Sequence, residues 1–274
     1  MKLAVLADIH ANFVAMQTVV AHIDQWQPDL VIVAGDIINR GPRPAECLAW
    51  VQQRRQTQGW LVVKGNHEEY VINQSQSDAA KYGPAFEIFR SSHWTYQQLG
   101  CDVRVLEAMP FQLALDCGVR VTHASMRGTR DGIYMAAPTD VLREQIGTPS
   151  VPLFCVGHTH QSMVRRLDDT LVVNVGSAGT PFDGDWRPSY AQIILREERW
   201  QAEIIRLDYD RAAAERDFET TGFLDDGGAL ARVMLRELQL ARGQLFSWLT
   251  QFEQPVLAGE ITIEEAVQRF LEMG

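Results

Sequence analysis

Short apolar runs recur along the chain, and each ends in a polar cluster: residues 3–7, 30–34, 60–63, 119–122, 153–156 and 171–173. Their length, and the β-branched content of most, predict buried strands. Between the first two runs, Phe13, Met16, Val20 and Ile23 fall at helical spacing behind Asn12, a good N-cap, which predicts a helix over 12–26. A second helix is expected over 45–56, entered through Pro42 and Pro44. Strand, helix, strand, helix, strand indicates βαβ units with right-handed crossovers. Residues 69–99 break this rhythm with a polar loop (73–78), then Gly83-Pro84, then a helical stretch carrying Phe86, Phe89, Trp94 and Tyr96. Two further strand-like segments lie at 191–195 and 201–206. From 210 onward the chain reads as helical. Leu230, Met234, Leu238, Ala241, Leu245, Trp248 and Phe252 form one stripe, and Thr262 with Glu265 makes a capping box before a last helix. Gly222 and Gly227-Gly228 mark a boundary before the stripe. The division expected is an α/β domain over 1–209 and a helical extension over 210–274.

The polar clusters carry the chemistry. Asp8-Ile9-His10 follows the first run, Gly35-Asp36 the second, and Gly65-Asn66-His67-Glu68 the third. His123 follows the fourth, and Gly157-His158-Thr159-His160 the fifth. In open α/β sheets the carboxyl ends of strands face a common crevice, so these five clusters are expected to converge. The glycines before Asp36, Asn66 and His158 are expected to let the backbone turn sharply. Alone, each piece reads better as an ordinary turn or a satisfied histidine than as a ligand. Together they hold five of the chain's seven histidines, leaving only His22 and His93 elsewhere. Asp, His and Asn donors without thiolates suit Mn, Fe, Zn, Ni or Co, and the donors exceed what one ion needs. A carboxylate shared between two ions would account for the surplus.

Bulk properties narrow the partners. A hydrophobic share of 46% over 274 residues supports a substantial core. The net charge of −10 argues against general nucleic-acid binding or anionic-membrane binding through a basic surface. Cys47, Cys101, Cys117 and Cys155 make no Cys-x-x-Cys pair and read as buried thiols suited to a reducing cytoplasm. The apolar start of the chain is too short for a signal peptide, and no run is long enough to span a bilayer. A cytoplasmic, membrane-free protein is the expectation.

The ordered series Asp-x-His, Gly-Asp-x-x-x-Arg-Gly-Pro, Gly-Asn-His-Glu, His and Gly-His-x-His resembles the calcineurin-like metallophosphoesterase superfamily over roughly residues 1–205. The stretch from Asn174 to Pro181, continuing through Asp183-Gly184-Asp185 to Ala191, looks like the small bacterial and archaeal predicted phosphodiesterases within it, as does His123-Ala124-Ser125 leading to Tyr134. Arg40-Gly41-Pro42 and Glu68 are also similar to protein serine/threonine phosphatases and diadenosine tetraphosphatases. The resemblance implies a four-layer αββα sandwich and two divalent transition metal ions, Mn2+ first, with Fe, Zn, Ni or Co as alternatives. One ion would be held by Asp8, His10, Asp36 and His160, the second by Asp36, Asn66, His123 and His158. A hydroxide bridging the ions would attack a small phosphate-ester substrate in line, with a nucleotide-like phosphodiester first. A phosphomonoesterase, a phosphoprotein phosphatase and a dinucleoside polyphosphate hydrolase are the alternatives. His67 would act at the leaving oxygen as acid or hydrogen-bond donor, and Arg40 would fork onto the phosphoryl oxygens.

Departures and looser readings accompany this series. Asn39 stands where the protein phosphatases have the aspartate that partners the third-motif histidine; it can orient an imidazole but cannot stabilise its charged form. Ala11 stands where glycine is usual, with a small steric effect expected. Arg127 and Arg130 read equally as a phosphate clamp or as surface arginines. The aromatics of 86–96 read as a lid's own core before they read as a base-stacking platform. The stripe beginning at Leu230 is expected to pack on the first domain, which leaves room for a homodimer through this tail. The rival class is a binding scaffold on an inactive fold, which should have lost some of these residues; none is missing.

Overall fold

The computed structural model describes residues 1–273. In chain order, β1 (Lys2–Leu6) leads to α1 (Phe13–Trp26), β2 (Leu30–Val33), α2 (Pro44–Gln58) and β3 (Leu61–Val62). Helices α3 (Asn66–Asn73), α4 (Gly83–Ile88), α5 (Arg90–Gln98) and α6 (Arg104–Glu107) follow. Then come β4 (Gln112–Leu115), β5 (Val119–Thr122), α7 (Thr139–Ile146), β6 (Leu153–Val156), β7 (Met163–Leu167) and β8 (Thr170–Asn174). The hairpin β9 (Ser189–Arg196) and β10 (Arg199–Arg206) precedes five helices: α8 (Arg211–Thr220), α9 (Phe223–Asp226), α10 (Ala231–Leu240), α11 (Leu245–Leu257) and α12 (Ile263–Glu272).

The strands form two five-stranded mixed sheets, ordered β10-β9-β1-β2-β3 and β4-β5-β6-β8-β7. Alternation along β1 explains how they stack. Leu3 and Val5 point between the sheets, against Val121, Leu153, Cys155 and Val173 of the second sheet. Ala4 and Leu6 point the other way, onto Met16, Val20 and Ile23 of α1 and Cys47 and Val51 of α2. On the far face of the second sheet, Phe154, Val156 and Val172 meet Leu142 and Ile146 of α7. Helices, sheet, sheet, helix is the αββα sandwich expected. No helix among the described residues is long and apolar enough to cross a membrane.

Local signals account for most elements. The Asn12 side chain accepts from the Ala15 amide to cap α1, and Thr262 with Glu265 caps α12 from both directions. Strands β4 and β7 escape the sequence pattern because they are edge strands with alternating exposure, and β7 carries two arginines. The stripe beginning at Leu230 is not one helix. Ala241 adopts a left-handed conformation and ends α10, so the stripe is divided between α10 and α11. Both halves bury into one apolar cluster with Ile88 of α4, Trp94 of α5 and Phe218 of α8. Trp94 therefore packs on Phe223 of α9 rather than within a free lid. The cysteines are all free; Cys47 and Cys155 are buried, but Cys101 is exposed beyond the end of α5.

Candidate metal centre and active site

The five polar clusters meet beyond the carboxyl ends of β1, β2, β3, β5 and β6. Ligand atoms of Asp8, His10 and His160 lie within 4.8 Å of one another, and so do those of Asp36, His123 and His158. One atom stands between the two groups: Asp36 Oδ2 is 3.6 Å from His10 Nε2 and 3.2 Å from His123 Nε2. Asn66 Oδ1 completes the second group, 2.9 Å from His123 Nε2 and 3.0 Å from His158 Nδ1.

Getting these side chains to one point strains the main chain. Asp8, His10, Ala11, Asp36, Asn39, Arg40, His158 and His160 all have positive φ, the region that β-carbons disfavour. Such outliers persist only where the surroundings over-determine them. Here the loop amides are pinned: Asp8, His10 and Ala11 donate to the carbonyls of Gly35, Asp36 and Ile37. Ala11, at φ 54°, thus occupies a position where glycine would be unstrained. Among the glycines before the motifs, Gly35 turns through φ +87°, as expected. Gly65 is extended, contrary to that expectation, and is required for another reason: a β-carbon there would collide with Asp36 Oδ1 and the Asp36 amide.

Glu68 is the residue whose task the sequence does not announce. It is fully buried, and its carboxylate accepts from the amides of Gly65, Asp36 and Ile37, each at 2.8 Å. It ties the third motif to the second and holds the bridging aspartate in place. Burial, reinforced by Asp36, raises its pKa to about 7. Its place in the third position of α3, reaching back to the residue before the helix, was the available signal.

Tautomers separate the histidines into two kinds. His123 Nδ1–H donates to the Ala34 carbonyl at 2.8 Å, and His160 Nδ1–H to that of Thr180 at 2.5 Å. Both therefore turn Nε2 toward the cluster, the nitrogen that a metal-ligating imidazole in this orientation would offer. His67 is the reverse. The Arg40 amide donates to Asn39 Oδ1, which turns Asn39 Nδ2 toward His67 Nδ1 at 3.0 Å. With Nδ1 accepting, the proton sits on Nε2, and burial lowers the imidazole's pKa to about 3. His67 lies close to His10 and Asp36 as a neutral N–H donor.

Electrostatics fit a cation. Burial pushes the Asp8 carboxyl well above its ordinary value, and the neighbouring Asp36 adds to this. Burial works against it, but Asp36 is held low by its contact with His123, whose own pKa it raises to about 10 in turn. Asp8 Oδ1 and His10 Nδ1 are buried without a hydrogen-bond partner, and His10 Nε2 and His160 Nε2 stand 3.0 Å apart. Unpaired oxygen and converging nitrogen lone pairs are what divalent ions would satisfy.

Around the cluster, Arg40 is largely enclosed. Its guanidinium pairs with Glu237 of α10 and lies 5.5 Å from the Phe182 ring, which itself stacks on His160 at 4.1 Å. Glu237 went unnoticed in the sequence, although it falls three residues after Met234, on the buried side of the stripe. Arg127 is engaged elsewhere, paired with Asp131 and Glu144. Arg130 lies over the Tyr70 ring at 4.7 Å. Neither guanidinium lines the cavities that open on the cluster.

Residues 1–198 match the model of the calcineurin-like phosphoesterase superfamily domain. The chain belongs to this superfamily. A metallophosphoesterase from Sphaerobacter thermophilus superposes with a TM-score of 0.71 at 25% identity, covering 88% of this chain and 99% of that one. A hypothetical protein from Pyrococcus horikoshii shares the fold, with a TM-score of 0.70 at 18% identity over 84% and 97% of the two chains. An uncharacterized protein of Methanocaldococcus jannaschii is 26% identical over 226 residues, 76% of this chain and 88% of its own. This phosphoesterase is thus a metal-dependent hydrolase of ester bonds, with Asp and His clusters suited to divalent ions.

Proposed function

We propose that this phosphoesterase hydrolyses phosphodiesters at a two-ion centre. The reading rests on one observation: two unlike cavities open on the cluster. An apolar one of about 300 Å³ is lined by Tyr70, Phe89, Met234, Leu245 and Leu249 together with the cluster residues. A larger one of about 820 Å³, mixed in character, is lined by Tyr134, Gln161, Asp183 and Arg242 together with Phe182 and Phe246. Both include Arg40, His158, Phe182 and Phe246. A phosphodiester has two arms to house, and a monoester has one.

One ion would be held by Asp8, His10, Asp36 and His160, the other by Asp36, Asn66, His123 and His158; Mn2+ is the ion to load first. Bound divalent cations would supply positive charge to the phosphoryl oxygens and acidify water at the cluster. Arg40, steadied by Glu237 and Phe182, keeps its other N–H groups for a phosphoryl oxygen. His67 donates its Nε2–H to the departing ester oxygen as the phosphorus–oxygen bond lengthens, and Asn39 keeps the proton on that nitrogen. An imidazole held neutral in this way stabilises a leaving oxygen without transferring a full charge, which favours esters of acidic alcohols. Residues 1–209 carry this chemistry, and 210–274 form the extension that walls the cavities.

A steady-state comparison of bis-p-nitrophenyl phosphate with p-nitrophenyl phosphate, in Mn2+, tests the assignment. The diester is expected to have the higher kcat/KM. A tenfold or greater preference for the monoester would overturn it.

A further inference from the structure

The two cavities differ in what they can accept, and the difference names a substrate class. Walls of the smaller cavity come from two places. Phe89, between α4 and α5, forms one side, while Met234 of α10 with Leu245 and Leu249 of α11 forms the other. Among the described residues lining it, Arg40 is the one cationic side chain, and Glu237 already holds that guanidinium. Glu253 also lines this cavity and adds negative charge. A second phosphate or a carboxylate on the substrate arm would therefore meet a largely apolar wall and the like charge of Glu253, with no cation beyond the Arg40 that the first phosphoryl group engages. An uncharged ring would meet ring and aliphatic surface on both sides.

We infer that this cavity binds the uncharged, ring-bearing arm of the substrate, with the single phosphoryl group seated on the cluster. His67 lines the smaller, apolar cavity and not the larger, mixed one. The ring-bearing arm is therefore the one whose ester oxygen faces the His67 N–H. The inference rests on the phosphodiesterase reading and deepens it: substrates carrying further phosphates along that arm, such as dinucleoside polyphosphates, are disfavoured. It also gives α10 and α11 a task, since they supply one wall of the selective pocket.

Phosphinates provide the test, because they carry a monoanionic phosphoryl-like head and no hydrolysable ester. Methylphenylphosphinate and dimethylphosphinate are titrated calorimetrically into the full-length Mn2+-loaded protein. The phenyl compound is expected to bind at least tenfold more tightly. That ratio should fall below threefold in Leu249→Gln and in Phe89→Ala. The second variant guards against a folding defect, since Phe89 is 40% exposed and its loss leaves no internal void. Equal affinities in the parent protein, or a ratio that survives both substitutions, would overturn the inference while leaving the phosphoryl-binding cluster standing. Failure of dimethylphosphinate to bind, or equal binding to Asp36→Asn, would sink the underlying reading and the inference with it.

Discussion

Arg40 and Glu237, 197 residues apart in the chain, form a buried ion pair at the rim of the metal centre, their side chains 12% and 2% exposed. Glu237 Oε1 also accepts from the amides of Gln244 and Leu245, at 2.7 and 2.8 Å, where α11 begins. One carboxylate thus joins the arginine of the second motif to the turn between α10 and α11.

Breaking this pair should be costly from either side. Removing one partner of a buried pair leaves the other charge uncompensated, at about 3–5 kcal/mol. Glu237→Ala and Arg40→Ala are each expected to lower stability by that order, read from denaturant unfolding. The double variant should recover at least 1 kcal/mol relative to additivity, about the coupling expected of residues in direct contact. Strict additivity would show that the pair contributes little.

His67 and Asn39 make a second testable unit. His67→Ala should reduce turnover by about 10²–10⁴ while leaving metal content near that of the parent protein. If metal analysis instead found the centre empty, His67 would be a ligand. Asn39→Asp places a carboxylate against Nδ1, which favours the charged imidazole and raises its pKa from the depressed value. That should convert a hydrogen-bond donor into a stronger acid. The ratio of kcat/KM for p-nitrophenyl over phenyl esters should therefore narrow; an unchanged ratio would argue against His67 facing the leaving group.

Gly65 sits where no side chain fits. Gly65→Ala drives a methyl group into the Asp36 carboxylate and amide, so metal uptake should drop to under half of the parent value and activity by more than about 10²-fold. Full metal occupancy in this variant would show that the loop yields easily.

Metal removal should be visible in stability as well as rate. A ligand present at about 100 times its Kd stabilises a protein by about 2.7 kcal/mol. Mn2+ should raise the Tm of the parent protein, and chelation should reverse this. Asp36→Asn should lose both the shift and the activity, since it alters the one carboxylate oxygen that stands between the two ligand groups.

Much of this arrangement is legible in the sequence. Strand-end placement of Asp8, Asp36, Asn66, His123 and His158 predicts convergence, because parallel strands deliver their ends to one crevice. Asn12 and Thr262 mark helix starts through local chemistry, and local chemistry survives folding. What stayed hidden depends on contacts distant in the chain. Glu237 reaches Arg40 only because α10 packs beside α8 and α9, and nothing near residue 237 encodes that approach. Glu68 had a readable position but not a readable task, since the amides of Asp36 and Ile37 that donate to it lie on a loop thirty residues earlier. The break at Ala241 was invisible because the apolar spacing runs on unbroken into the next helix.

The division of labour around the two cavities bears on how such a chain can diversify. Hydrolysis is assembled from strand-end loops, four of the five pinned at a left-handed residue or a glycine without room for a methyl group. The selective wall is borrowed from helices that follow the sandwich and touch its reactive parts chiefly through one carboxylate. Lineages could therefore exchange that tail and acquire a new diet with the same bond-cleaving engine, provided an acid is kept to meet Arg40.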